Sequence, residues 1–419
     1  MAIYGEHESI ALGSCSHQLV HSSKVDIERT SLAVDGTVPA TLDLEEIGGE
    51  AGREAFSEAI REDGGFSLLA ISGGKLLAGR DLLGLKPLYY GRDWSGAIAF
   101  ASLKTALSRI GIRDPRAVPP GHLIEVSNKQ VTVLSKRSLT NSNEMEVSED
   151  DATARVGDLL LESLTENPPE DYAIAFSGGL DSTLVTYAAK ENGLRPELIT
   201  VGLKDQAELE HAQRVAKELG IEITVRELSQ SEIIDRLGEV VETVESTDST
   251  LVGHSVPLFF VCEVAKEMGM GHLLVGQLSD ELFAGYGRFE ELALKRDFLE
   301  ANKEVLRSVL AASTNDFEPG DKLAVSHRLD LQSPFAYLPL VDYALNIPIS
   351  QKLRLIDNVV VRKYVLRKLA AFWKLPESVV NRPKKAVQYS TGVQKVLLKE
   401  AKKQNRKLTE LLESLRSNS

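Results

Sequence analysis

Asp171-Tyr-Ala-Ile-Ala-Phe176 runs directly into Ser177-Gly-Gly-Leu-Asp-Ser182 and then into Thr183-Leu-Val-Thr-Tyr-Ala-Ala-Lys190. An apolar strand that ends in a serine and two glycines and then opens a helix makes a loop whose backbone N–H groups converge on an oxyanion. Glycine permits that loop because it tolerates positive φ and close backbone approach. Ser177 and Ser182 add hydroxyl donors, and Asp181 brings a carboxylate suited to a magnesium ion carried by a nucleotide. The lysine of a GxxxxGK[ST] loop is missing, so this is not a Walker cradle. The plain alternative is a Ser/Gly turn between a strand and a helix. A phosphate-binding α/β sheet is the expectation that follows from the full run.

Composition sets the frame for that loop. A chain of 419 residues is too long for one compact core, so two domains are expected, and 43% hydrophobic residues can fill them. Its 48 basic and 61 acidic residues leave a net charge of -13, which argues against a general nucleic-acid or membrane-surface role and favours a soluble enzyme. The two cysteines, Cys15 and Cys262, lie far apart and outside any CxxC pattern, so neither a disulfide framework nor a zinc site is expected. Cys15 reads as a small packed hydrophobe. No apolar run approaches the ~18 residues of a membrane span, and Met1-Ala-Ile-Tyr-Gly-Glu-His-Glu8 lacks the features of a signal peptide. The expected location is the cytoplasm.

The pattern changes along the chain. Residues 1–137 read as short strands with Gly- and Asp-rich turns, such as Lys75-Leu-Leu-Ala-Gly79, Ala97-Ile-Ala-Phe-Ala101 and His122-Leu-Ile-Glu-Val126, with one helix near 51–61. Residues 138–151 are polar and aperiodic, and form the expected linker. Over 152–419 strands alternate with helices, the signature of a doubly wound parallel sheet. The expected strands are 173–176, 198–203, 221–228 and 272–275, with helices over 206–219, 231–245 and 257–268. The chain from Arg354 onward is expected to be helical, ending in one charged amphipathic helix over 399–416. Loops that follow the strands share one edge, and ligands of such folds bind there.

A second constellation faces the same edge: His272-Leu-Leu-Val-Gly-Gln-Leu-Ser-Asp-Glu-Leu-Phe-Ala-Gly-Tyr286. Asp280 and Glu281 face the same edge as Ser177 to Ser182, so two carboxylates from different loops can hold magnesium between them. The strand–SGGLDS–helix order resembles the PP-loop of ATP pyrophosphatases (adenine nucleotide alpha hydrolase-like). SGGLDS followed by SDELFAGY resembles the synthetase domain of asparagine synthetases. Ser333-Pro-Phe, Lys363-Tyr-Val-Leu-Arg-Lys368 and Asn381-Arg-Pro-Lys384 fit that family too, and Ala78-Gly-Arg-Asp-Leu-Leu-Gly-Leu-Lys-Pro-Leu-Tyr-Tyr90 resembles part of its Ntn-type, α+β class II glutaminase domain.

The resemblance implies ATP-dependent activation of an aspartate carboxylate, release of pyrophosphate, and attack by ammonia to give asparagine and AMP. It implies that Ser177, Gly178, Gly179 and Ser182 hold pyrophosphate, that Asp181 and Asp280 bind Mg2+, and that Ala175, Val201 and Gly276 lie beside adenine. Lys384 matches a lysine that stabilises charge on the phosphates and adenylate. Lys385 can serve in its place, and Lys384 can equally be plain surface charge.

Departures from the family accompany the match. The sequence opens Met1-Ala2-Ile3 where a glutaminase has a nucleophilic cysteine, and Asp35 of Ala33-Val-Asp-Gly36 stands where an asparagine donates to the oxyanion. A degenerate glutaminase domain is therefore expected, with ammonia arriving free or from a separate glutaminase. Gln277 replaces a carboxylate of the family's GEGSDE, leaving Glu281 or Asp330 as the replacement base. Asp330 has a salt-bridging structural role as its alternative. The acceptor stays open, since beta-lactam synthetases and lasso-peptide cyclases also resemble this family. A noncatalytic nucleotide-binding subunit and a homodimer stay open as well.

Overall fold

A computed structural model describes residues 2–4, 10–12, 22–27, 30–37, 54, 58–60, 62–72, 75–141, 145–165, 171–382 and 391–416. The chain divides into two compact units, Met1–Leu139 and Thr140–Ser419. Most of the helix expected near 51–61 and Cys15 lie outside the described residues.

The first unit holds two antiparallel sheets. One contains β1 (Ala2–Tyr4), β2 (Ile10–Leu12), β7 (Tyr89–Arg92), β8 (Ile98–Ala101) and β9 (Arg116–Ala117), in the order β2-β1-β8-β7-β9. The other contains β3 (Ser22–Ile27), β4 (Thr30–Gly36), β5 (Phe66–Ser72), β6 (Lys75–Arg80), β10 (His122–Ser127) and β11 (Gln130–Lys136), in the order β11-β10-β6-β5-β4-β3. Alternation along β5 shows why both faces are buried. Phe66, Leu68 and Ala70 pack with Ala59 and Ile60, whereas Leu69 packs with Leu88, Ile98 and Phe100.

The second unit is built on a parallel sheet of β12 (Tyr172–Ala175), β13 (Glu197–Leu203), β14 (Ile223–Leu228), β15 (His272–Leu274) and β16 (Asp330–Gln332), in the order β14-β13-β12-β15-β16. The chain first winds outward from β12 to β14, then returns to the other side of β12 with β15 and β16. The winding reverses between β12 and β15, so the loops after these two strands flank the topological switch point, where doubly wound sheets bind ligands.

The helices of this unit begin with α1 (Glu149–Glu162), α2 (Leu180–Glu191), α3 (Ala207–Leu219), α4 (Gln230–Val244) and α5 (Ser249–Glu267). Gly220, left-handed at φ 68, ends α3 as its sequence position predicts. Helix α5 starts well before Pro257, the expected start. Asp248 caps it, accepting from the N–H groups of Thr250 and Leu251, and Pro257 sits inside the helix. Because α5 is apolar on all sides, no period marks its true beginning.

Two expectations fail toward the end of the chain. Arg354 lies in a hairpin of β17 (Leu353–Ile356) and β18 (Val359–Arg362), whose turn residues Asp357 and Asn358 take φ of 49 and 62. The tail is two helices rather than one. After α6 (Ser279–Leu282), α7 (Glu318–Ser326) and α8 (Tyr364–Phe372) come α9 (Val393–Lys403) and α10 (Leu408–Arg416), separated at Asn405 with φ 54. The break lets Val396, Leu397, Leu411 and Leu412 all join the core that α4 and α5 form on the sheet. Among the described residues no helix is long and apolar enough to cross a membrane.

Candidate functional site

The loop after β12 is closed by its own serines. Ser182 Oγ accepts from the N–H of Ser177 at 3.3 Å, lies 3.2 Å from Ser177 Oγ, and donates to the Gly179 carbonyl at 3.3 Å. Gly179 is the N-cap of α2 and supplies no side-chain bond, so the first turn keeps N–H groups directed out of the helix. Those donors and the positive end of the helix macrodipole make an anion cradle. Ser177 is exposed at its mouth, while Ser182 is buried at its base.

Gly276 brings the second loop against the first. A Cβ on it would lie 3.0 Å from the Asp181 Cβ and 3.4 Å from the Ser182 N–H nitrogen, so the strand β15 loop closes on the start of α2 only with glycine there. Ser279, the first residue of α6, then donates to Asp181 Oδ1 at 2.8 Å. Between the loops stands Lys363, whose Nζ is 2.7 Å from Asp181 Oδ1, 2.7 Å from Asp280 Oδ1 and 3.1 Å from Ser279 Oγ. The two aspartates expected to share a metal thus converge on one point, and the cation drawn there is this ammonium.

Lys363 is held there by the backbone. It adopts φ 55, a left-handed conformation that costs a non-glycine residue about 1 kcal/mol, and its N–H bonds to the Phe283 carbonyl at 3.2 Å. Gly285 completes the cradle, since a Cβ on it would fall 2.0 Å from Asp280 Oδ1 and 2.3 Å from Lys363 Cε. Sequence reasoning assigned neither residue a role. The glycine of SDELFAGY was the one available signal.

The remaining expected site residues are distributed otherwise. Val201 is buried in the sheet core and Ala175 is packed against it. Glu281 is buried and accepts from the Tyr286 hydroxyl. Burial raises the Glu281 carboxyl above its ordinary range, and the neighbouring Asp280 charge raises it further. Burial likewise pushes the Tyr286 hydroxyl up, and the charge of Glu281 adds to the effect.

Asp330 is a correction. It opens β16 in register with His272, the first residue of β15, and therefore lies at the strand starts, opposite the phosphate loop. There it accepts from Gln332 Nε2 at 2.9 Å and lies 3.6 Å from His272 Nδ1, the structural role that was its alternative. Gln277, by contrast, is on the functional edge, where its carbonyl accepts from Ser333 Oγ at 2.8 Å.

Lys384 and Lys385 lie outside the described residues, but both flanks of their segment are tied to the same edge. The Thr391 carbonyl accepts from the N–H of Leu203 at the end of β13, and Arg382 is 3.9 Å from Glu208 in the first turn of α3. Arg367 Nη2 donates to the Arg382 carbonyl at 3.0 Å.

A parallel sheet with a Ser-Gly-Gly loop opening a helix at its switch point defines a PP-loop nucleotide-binding domain. The family model for asparagine synthase matches residues 169–316 and 299–417, together more than half of the chain. The chain belongs to the asparagine synthase family, which places it among the carbon–nitrogen ligases.

It is 28% identical over 412 residues to a putative asparagine synthetase [glutamine-hydrolyzing] 1 of Methanocaldococcus jannaschii, covering 86% of this chain and 75% of the relative. It is also 28% identical over 341 residues to asparagine synthetase B [glutamine-hydrolyzing] of Escherichia coli, covering 76% of this chain and 58% of the relative. Asparagine synthetase [glutamine-hydrolyzing] 3 of Arabidopsis thaliana is 28% identical over 355 residues, and the chain spans 60% of its length.

Proposed function

We propose that this chain is an AMP-forming amide ligase that adenylates a carboxylic acid with ATP and transfers the acyl group to ammonia. Aspartate is the simplest acid, and asparagine the simplest product. The observation that carries this reading is the meeting of the two loops of the switch point on Lys363, with Asp181 and Asp280 each 2.7 Å from its ammonium.

Splitting ATP between the α and β phosphates develops charge on the departing pyrophosphate, and preorganised donors and cations reduce that cost. The Ser177–Ser182 loop and the start of α2 offer the N–H and hydroxyl donors. Lys363 offers a fixed positive charge within reach of both acidic loops. Magnesium is implied by the family, and the donor set fits it. Two carboxylates from separate loops already gather on one compact cation, and Mg2+ typically takes one or two carboxylates together with substrate phosphates. Asp181 and Asp280 would hold it, and when bound it neutralises phosphate charge. Lys384 is retained in this proposal as a second cation toward the phosphates.

A second reading keeps the adenylation and changes the acid. It is favoured by Asp330 at the far end of β16, away from the functional edge, and by Glu281, whose carboxylate is already engaged by the Tyr286 hydroxyl. The deciding experiment is mass spectrometry of products from ATP, magnesium and a panel of carboxylic acids, each with ammonium or with glutamine. Asparagine formed from aspartate with ammonium but not with glutamine is the expected result and fits a degenerate glutaminase domain. AMP dependent on another acid selects the second reading, and no AMP with any acid contradicts both.

A further inference from the structure

We propose that His211 is a positioning residue that sets the polarity of the phosphate loop, an inference that rests on the reading of this loop as a pyrophosphate cradle. His211 lies on α3, buried, with Nε2 2.9 Å from the Gly178 carbonyl oxygen. A carbonyl oxygen only accepts, so Nε2 carries the proton and donates it.

Gly178 is also buried, at φ 65, and a Cβ on it would lie 3.0 Å from the Ala212 Cα and 3.0 Å from the His211 Cδ2. The loop is thus pressed against α3 at this one peptide. In a planar trans peptide the C=O and the following N–H point in opposite directions. With the Gly178 carbonyl turned inward to His211, the Gly179 N–H is turned the opposite way, where it donates a long 3.3 Å hydrogen bond to the hydroxyl oxygen of exposed Ser177. The opposite orientation would present a carbonyl oxygen to the phosphates and repel them.

This peptide joins two glycines, the residues that resist such a flip least. Ser182 Oγ holds the Phe176–Ser177 peptide through the N–H of Ser177 and the Gly179–Leu180 peptide through the carbonyl of Gly179. The peptide between Gly178 and Gly179 is held at its carbonyl by the imidazole. His211 therefore orients a donor without touching the nucleotide.

The test compares the full chain with His211→Met, which fills space without donating, and His211→Gln, which offers an N–H at similar reach. Binding of inorganic pyrophosphate with magnesium is measured by calorimetry, KM for ATP and kcat by AMP formation, and folding by thermal unfolding. The Met variant is expected to weaken pyrophosphate binding and raise KM for ATP by about tenfold, the scale of one lost hydrogen bond to a buried group. The Gln variant is expected to recover most of that loss. A folded Met variant that binds pyrophosphate like the wild type overturns the inference, as does a Gln variant as weak as the Met variant. Should Met fail to fold, His211→Leu decides by the same criteria. A wild-type chain that binds neither ATP nor pyrophosphate overturns the underlying reading, and the inference with it.

Discussion

Lys363 reaches Asp181, a residue 182 positions earlier, with Nζ 2.7 Å from Oδ1, and so joins the start of α8 to the start of α2. The same ammonium meets Asp280, and the three side chains are largely buried, at 4%, 14% and 15% exposure. Two carboxylates so close repel each other unless a cation stands between them. The site is therefore assembled around a positive charge, and removing that charge should be felt in both stability and rate.

For Lys363→Met the stem length is kept and the charge is lost. Breaking a buried ion pair costs about 3–5 kcal/mol, and losing a preorganised cation should lower kcat about 100-fold or more. Urea unfolding and AMP formation measure the two. Lys363→Arg should not restore the rate, because the planar guanidinium cannot replace a compact ammonium in so tight a space.

Gly285 should tolerate no side chain. Gly285→Ala puts a Cβ 2.0 Å from Asp280 Oδ1, so the ion pair must move, and the variant should lose about 1–3 kcal/mol and most of its AMP formation. Gly287, two residues on, has nothing within 4 Å of its would-be Cβ, and Gly287→Ala should change stability by less than about 0.5 kcal/mol. Paired thermal unfolding curves check the contrast.

The tail helices should behave as core. Leu412 is fully buried, so Leu412→Ala should cost about 2–5 kcal/mol in chemical unfolding. A tail lying freely in solvent would show a change near zero.

Glu149 gives a pH dependence with a defined sign. Its hydrogen bonds from Arg354 and then Lys368 hold its carboxyl well below the usual range, at about 2. A carboxylate depressed in the folded state adds stability above its unfolded pKa and loses it as pH falls through the folded value. Glu149→Gln should therefore unfold at a lower temperature than the wild type at pH 7. The gap should close between about pH 4.5 and about pH 2, as thermal scans across that range would show.

Much of this arrangement was legible in the sequence because it is written in local chemistry. Ser177 to Ser182 carries its own turn, donors and helix start, and the Gly220 stop of α3 is likewise a single-residue signal. Lys363 lies within a segment that fits the family, yet its role depends on partners in two distant loops and on a left-handed backbone that lysine does not advertise. Asp330 was misplaced because β16 is three residues long, too short for a period to show, and only register reveals which end of the strand it occupies. Helix α5 hid its start because apolar residues on every side leave no amphipathic stripe to read. The hairpin after Lys352 and the break at Asn405 are set by positive φ at Asp357, Asn358 and Asn405, a turn chemistry that Asp and Asn favour but that at Asn405 lies hidden among charged residues on either side.

Phosphorus-31 NMR of ATP incubated with the full chain, magnesium, aspartate and ammonium tests the account most directly, because it reports which phosphoanhydride bond breaks. Resonances of AMP and pyrophosphate growing together, and absent with Asp181→Asn, are the predicted result. ADP and inorganic phosphate, or equal AMP formation by the Asp181→Asn chain, would contradict it.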